Sequence, residues 1–327
     1  MNTRDRPVLV VTDLYDGTAD LVITELHGRG VPVVRLDTGE FPTGVTFSAA
    51  AGNGIEWAGE LRTNTRAADV GDIRALWYRR PSEFRFDHLD PQVATYATLH
   101  ARYGLGGVLA SLPGCLYVNH PFRAGDVEYK PFQLATAIKS GFRVPRTLIT
   151  SAPQSARDFA REHGRVIFKP LATPTYFDES NVAKTVGVEL LGPEDIDDSV
   201  AGTAHLFQVA VDKVADVRLT VIGDRVFAVR IDSGLLDWRT DYSALTYTVI
   251  ETPRGVDDAL RRFMDDRDLV YGAFDFALDA DGTWWFLECN PSGQFLWMEP
   301  PTGLPLTSAM ADLLMKGEVT GVFDYGI

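Results

Sequence analysis

Cysteine is nearly absent from this chain: Cys115 and Cys289, far apart, are the only two in 327 residues. That scarcity excludes a disulfide framework and a thiolate zinc site. The six histidines are scattered and show no His-x-x-x-His spacing, which leaves zinc hydrolase chemistry without support. Neither G-x-x-x-x-G-K-[ST] nor G-x-G-x-x-G occurs, so the common phosphate-cradling loops are missing. No apolar run reaches the length of about 18 residues that a membrane span needs. "MNTRDRPVLVV" enters a short strand without an apolar signal region, so no membrane contact and a cytoplasmic location are expected. Lys plus Arg is 31 against 45 for Asp plus Glu, a net charge of −14, which argues against binding nucleic acid or an anionic membrane.

What is present is ordinary for a folded protein, 45% hydrophobic and 23% charged, in a chain long enough for two or three domains. The informative stretch is "GAFDFALDADGTWWFLECNPSGQ", residues 272–294. Asp281-Gly282 between aromatic and β-branched runs predicts a hairpin with a two-residue loop. Counting from that loop sets Ala280 against Thr283, Leu278 against Trp285, Phe276 against Leu287 and Asp275 against Glu288. Directly opposed side chains lie about 5 Å apart at Cβ, where like charges repel. Asn290, two residues beyond Glu288, returns to the same face, while Cys289 points to the other and reads as core. The flanking Phe274, Phe276, Trp284, Phe286 and Leu287 suggest a mostly buried sheet. Two buried acids need a cation, and hard oxygen donors suit Mg²⁺ or Mn²⁺ beside a phosphate.

Along the rest of the chain, "PVLVVTDLYD", "TADLVITELHGRG" and "VPVVRLDT" read as a βαβ opening. A hairpin turning at "GNG", a strand "IRALWYRRP" and a helix from about 91 to 112 complete an N-terminal α/β domain, 1–120. A second unit, 121–207, starts with a helix stopped at Gly141 and contains the polar segment "ATPTYFDESNVA", read as a mobile lid; "KTVGVELL" reads as one strand. The third unit, 208–327, is an antiparallel sheet with Gly223-Asp224 at its first turn, closed by a helix near 305–316.

Lys130 at a helix start, Lys169 in "VIFKP", "LFQVAVDK", "DVRLTVIGDRVFA", "DWR" and "FDFAL…FLECNPSGQ" follow the order seen in ATP-grasp carboxylate ligases, over about residues 120–300. With "WYRRP" and "NHPFRAGDVEYKPF", the chain resembles the ATP-grasp maturases of ribosomally made peptides, the graspetide or microviridin-type ligases, and more distantly the ribosomal-protein glutamate ligases. The resemblance implies an α/β ATP-grasp fold in which two lobes clamp ATP. It also implies ATP- and Mg²⁺-driven joining of Asp or Glu side chains of a precursor peptide to Ser or Thr hydroxyls or Lys amines, and a homodimer.

Carried onto these residues, the resemblance gives Lys130 and Lys169 to the ATP phosphates and Asp275, Glu288 and Asn290 to one or two Mg²⁺ ions. Gln208 and the Val209 backbone go to the adenine edge, Asp216 and Asp237 to the nucleotide. Arg218 and Arg239 go to the transferring phosphoryl group. The residues alone leave alternatives open: a sheet-edge Lys169, a plain core strand around Gln208, and mutual pairing of Asp216 with Arg218. A plain Gly223-Asp224 hairpin puts Arg230 on the face opposite Arg218. Arg79 and Arg80 end a strand and point to opposite faces, so one is structural and the other meets the substrate. "ATPTYFDESNVAK" lacks the lid glycines common in the fold, so the lid is held by hydroxyls and Lys184 or orders when peptide binds. A ligase adding a free amino acid and a non-catalytic ATP-binding module are the competing readings.

Overall fold

The computed structural model describes residues 6–319 apart from 173, 174, 178 and 181. The strand Val8–Val11, wholly buried, pairs in parallel with Val33–Leu36 on one side and Ala75–Tyr78 on the other, and Leu116–Val118 completes the sheet. Strands covered on both faces read as continuous apolar runs, which is why "VLVV" shows no alternation. Asp16 caps the helix Gly17–Gly28 by accepting from the Thr18 and Ala19 amides. Beside this sheet lies a three-stranded one, Val45–Gly52, Ile55–Thr63 and Ala67–Asp69. Its first turn is the Asn53-Gly54 pair, both at positive φ, as a tight hairpin with this dipeptide requires.

A four-stranded antiparallel sheet runs in the order Glu189–Leu191, Val166–Lys169, His205–Val209, Thr147–Thr150. "KTVGVELL" is not one strand: Ala183–Thr185 pairs with Thr175–Phe177 in a separate ladder, and Glu189–Leu191 joins the larger sheet. The glycine-free segment is therefore partly a short hairpin, while its residues 173, 174, 178 and 181 lie outside the described residues.

The largest sheet has five antiparallel strands in the order Thr246–Ile250, Arg225–Asp232, Lys213–Ile222, Tyr271–Asp279, Trp284–Asn290. One face packs Phe274, Phe276 and Phe286 against Phe142 and against Phe263 of the helix Arg254–Arg267. On the other face Ile222, Phe227, Val229 and Tyr271 meet the helix Leu306–Lys316 and the N-terminal sheet. The rest of that second face is left for polar residues, and it carries the site.

Candidate functional site

The opposition of Asp275 and Glu288 holds, but two departures from the counted register produce it. The hairpin loop is one residue longer: Asp279 N–H bonds to the Thr283 carbonyl at 3.1 Å, and the Asp279 carboxylate accepts from the Asp281 and Thr283 amides and the Trp285 indole. Leu278 therefore faces Trp284, Ala277 faces Trp285 and Phe276 faces Phe286. A bulge at Leu287 absorbs the extra residue and restores Asp275 against Glu288. Without it, Phe286 and Glu288 would share a face. With it, Trp284, Phe286 and Cys289 enter the core and Glu288 faces the cleft.

Asp275 is 3% exposed. Arg218 Nη1 donates to its Oδ1 at 2.8 Å, and Arg239 Nη2 donates both to its other oxygen and to Glu288 Oε1, the latter at 2.6 Å. Lys130 Nζ stands 3.7 Å from Glu288 Oε2, and Lys169 Nζ reaches the bulged Leu287 carbonyl at 3.4 Å. Burial pushes the Glu288 carboxyl up, but Arg239, Lys169 and Lys130 outweigh it and hold the group at about 2. Burial pushes the Lys169 ammonium down, with Glu288 opposing. For Arg239 burial acts downward, and Asp275 and Glu288 more than reverse it.

These groups line a cleft of about 780 Å³ between the four-stranded and five-stranded sheets, whose far wall includes Ile167, Val188 and Leu190. Gln208 and Val209 lie on that wall. The Gln208 side chain is 2% exposed and spends its amide on Thr147 Oγ1 at 2.8 Å, and the Val209 N–H is held by the Arg146 carbonyl at 2.8 Å. Asp216 and Arg218 share a face but do not pair. Lys213, which sequence reasoning missed, holds Asp216 at 2.7 and 2.8 Å and also bonds the Leu236 carbonyl. Its signal was the three-residue spacing in "DKVAD". Burial raises the Asp216 carboxyl, against Lys213. Asp237 caps the turn Trp238–Thr240 and accepts from the Arg239 N–H at 3.0 Å, so it aims Arg239 at the acid pair. Arg230 lies opposite Val217, off the Arg218 face, and binds Asp232.

Asn290 pairs across from Ala273 and turns its Oδ1 to the Ser292 N–H at 2.9 Å. Arg79 is not available to a substrate. Its side chain is 1% exposed and bonds Asp16, whose other contacts are Thr12 Oγ1 and the helix amides. Arg80, on the opposite face, is exposed. Gly293 packs so closely that an added Cβ would stand 2.6 Å from Ala273 Cβ and 3.2 Å from Arg218 Nη2. Gly293→Ala is therefore expected to destabilise by about 1–3 kcal/mol, read by urea unfolding; an unchanged midpoint would contradict that packing.

The two opposed carboxylates of Asp275 and Glu288 are hard oxygen donors of the kind a divalent ion takes, while the Asn290 oxygen is turned to Ser292. Arg218 Nε, a buried donor with no protein partner among the described residues, fits an anion next to it. The cleft lies between two antiparallel sheets, with Lys169 on one and the acid pair on the other, and the fold is that of the ATP-grasp ligases. The N-terminal residues 7–123 match the MvdD pre-ATP grasp domain. Among solved structures, a RiPP-associated ATP-grasp ligase of Chryseobacterium gregarium, in complex with ADP and a leader and core peptide, is 24% identical with a TM-score of 0.86, over 98% of this chain and 100% of that one. The macrocyclase MdnC of Microcystis aeruginosa, bound with precursor peptide MdnA, is 26% identical with a TM-score of 0.83, over 95% and 99%. MdnB of the same organism, also a macrocyclase, is 28% identical with a TM-score of 0.79, over 94% and 99%. No curated protein matches the sequence. Among the described residues, no helix is long and apolar enough to cross a membrane.

Proposed function

We propose that this protein is an ATP-dependent ligase that activates Asp or Glu side chains of a ribosomally made precursor peptide and joins them to Ser or Thr hydroxyls or Lys amines. The observation that carries the reading is the Asp275–Glu288 pair ringed by Lys130, Lys169, Arg218 and Arg239. A carboxylate is a poor acyl donor until its oxygen is phosphorylated, and phosphoryl transfer is mainly a problem of alignment and charge neutralisation. Lys130 and Lys169 would hold the ATP phosphates, with adenine against the Gln208–Val209 wall. Arg218 and Arg239 would hold the migrating phosphoryl group. Asp275, Glu288 and Asn290 would bind Mg²⁺, or Mn²⁺, which supplies charge neutralisation at the phosphates. Residues 1–120 and the two lobes 121–207 and 208–327 form the three working units, and the protein acts as a homodimer in the cytoplasm.

The test is intact mass spectrometry of any short acidic, Ser/Thr- or Lys-containing peptide encoded next to the gene, after incubation with the full chain, ATP and MgCl₂. Loss of one water per bond with ADP formed is expected; mild base, which hydrolyses esters and restores one water for each while leaving amides intact, then separates esters from amides. An unchanged peptide, or one heavier by an amino acid, would overturn the reading. Parallel MnCl₂ reactions and sedimentation of the protein address the metal and the dimer.

A further inference from the structure

Gln294 lies at the junction between the N-terminal sheet and the acid pair, four residues past Asn290. Two hydrogen bonds fix its carboxamide: Thr18 Oγ1 meets Oε1 at 2.6 Å, and Arg79 Nη2 donates to the same oxygen. A guanidinium can only donate, so the atom it touches must be oxygen and the amide cannot be flipped. Arg79 is in turn held by Asp16, which is buried and ties the pair to the start of the helix Gly17–Gly28. The backbone is fixed as well. The Gln294 carbonyl accepts from Arg218 Nη2 at 3.1 Å and Trp297 Nε1 at 3.2 Å, and the neighbouring Gly293 carbonyl accepts from Tyr271 Oη at 2.7 Å.

Orientation leaves one end of the side chain over. Gln294 is only half-buried, and its Nε2 makes no hydrogen bond among the described residues. The residue's backbone carbonyl holds one arm of Arg218, whose other arm holds Asp275. It also adjoins the carboxyl ends of the strands Val8–Val11 and Ala75–Tyr78, where the first connection leaves to one side of the sheet and later ones to the other; ligands of open α/β sheets bind at such a point.

We propose that Gln294 is a catalytic residue of this ligase: its Nε2–H donates to the acyl oxygen of the activated peptide carboxyl. This rests on the ligase reading above. In that step the hydroxyl oxygen or amine nitrogen bonds to the acyl carbon, and the carbonyl electron pair moves onto oxygen, facing Nε2. The pair returns as the C–O bond to phosphate breaks; phosphate leaves with the bonding electrons and takes up the proton lost by the nucleophile. A donor held rigidly at the place where charge develops acts on the transition state more than on the bound substrate. Asp16, Arg79 and Thr18 are positioning residues for it.

Gln294→Glu and Gln294→Leu test the assignment. Glu keeps an oxygen for Arg79 and Thr18 but replaces the free donor; Leu removes both. Steady-state ligation of the precursor peptide, ADP affinity and thermal midpoint are measured for both variants and the wild type. The donor role predicts kcat lower by about 10²–10³-fold in both, with peptide KM and ADP affinity retained. A Gln294→Glu enzyme with wild-type kcat overturns the proposal, because the anchoring role alone then suffices. Loss of kcat only together with ADP affinity and thermal midpoint in both variants overturns it too. A wild-type enzyme that forms no bond in the peptide sinks the ligase reading instead, so the two failures are distinct.

Discussion

Replacing Glu288 with Gln is expected to lower ligation turnover on the order of 10³-fold or more. The several kcal/mol that a bound divalent ion contributes to a phosphoryl-transfer barrier correspond to that factor, and an amide is a much weaker ligand than a carboxylate. The loss also unbalances the protein's own charges. Glu288 is the group on which Arg239 and Lys130 converge and which opposes the lowering of Lys169 by burial. With Glu288 neutral, these cations face one another with Asp275 as the remaining half of the pair. Single-turnover ligation followed by quench and mass spectrometry reads the effect; a wild-type rate would remove the acid pair from the chemistry. Because burial is outweighed and Glu288 is held at about 2, its protonation produces no acid limb in the rate between about pH 5 and 8. A limb in that range that vanished in Glu288→Gln would contradict the electrostatics described above.

Arg79→Met is expected to destabilise the fold by about 3–5 kcal/mol, the loss typical when one partner of a buried ion pair is removed. Both side chains of the Arg79–Asp16 pair are almost fully buried, at 1% and 2% exposure, so solvent cannot take over the abandoned carboxylate. The effect has a pH signature. Burial pushes the Asp16 carboxyl up, but the hydrogen bond and charge of Arg79 outweigh that and hold it below its ordinary 3.8. A carboxylate lowered on folding contributes stability that is complete above the unfolded value and is lost as pH falls through the folded one. Without Arg79 the burial that pushes Asp16 up is opposed far less, so the deficit of Arg79→Met is largest near neutral pH and narrows as pH falls through the variant's raised carboxyl toward the wild type's lowered one. Urea unfolding of both proteins across that range measures it. A difference below about 1 kcal/mol at neutral pH would mean the pair behaves as a solvated surface contact.

The amino-acid sequence by itself determined the elements with strong local causes. The buried "VLVV" strand, the Asn53-Gly54 and Gly223-Asp224 turns and the helix stopped at Gly141 follow from apolar patterning and from glycine or asparagine where φ must be positive. Strand alternation likewise separated Arg79 from Arg80 and Cys289 from Glu288. Tertiary structure decided whatever depended on partners distant in sequence. Counting from the Asp281-Gly282 turn reached Asp275 opposite Glu288, yet the longer loop and the Leu287 bulge that make it so are fixed by what packs on each face. Arg79 was legible as one of two arginines at a strand end. Its structural role comes from Asp16, 63 residues away, and from Gln294, 215 residues away. Lys213 carried only the three-residue spacing to Asp216, and Gln294 carried no local signature, because its hydrogen bonds to Thr18 and Arg79 join distant segments and leave no periodicity in either one. The chemistry of the site was written in residue types; its geometry came from long-range burial and charge pairing, which only the folded chain brings into contact.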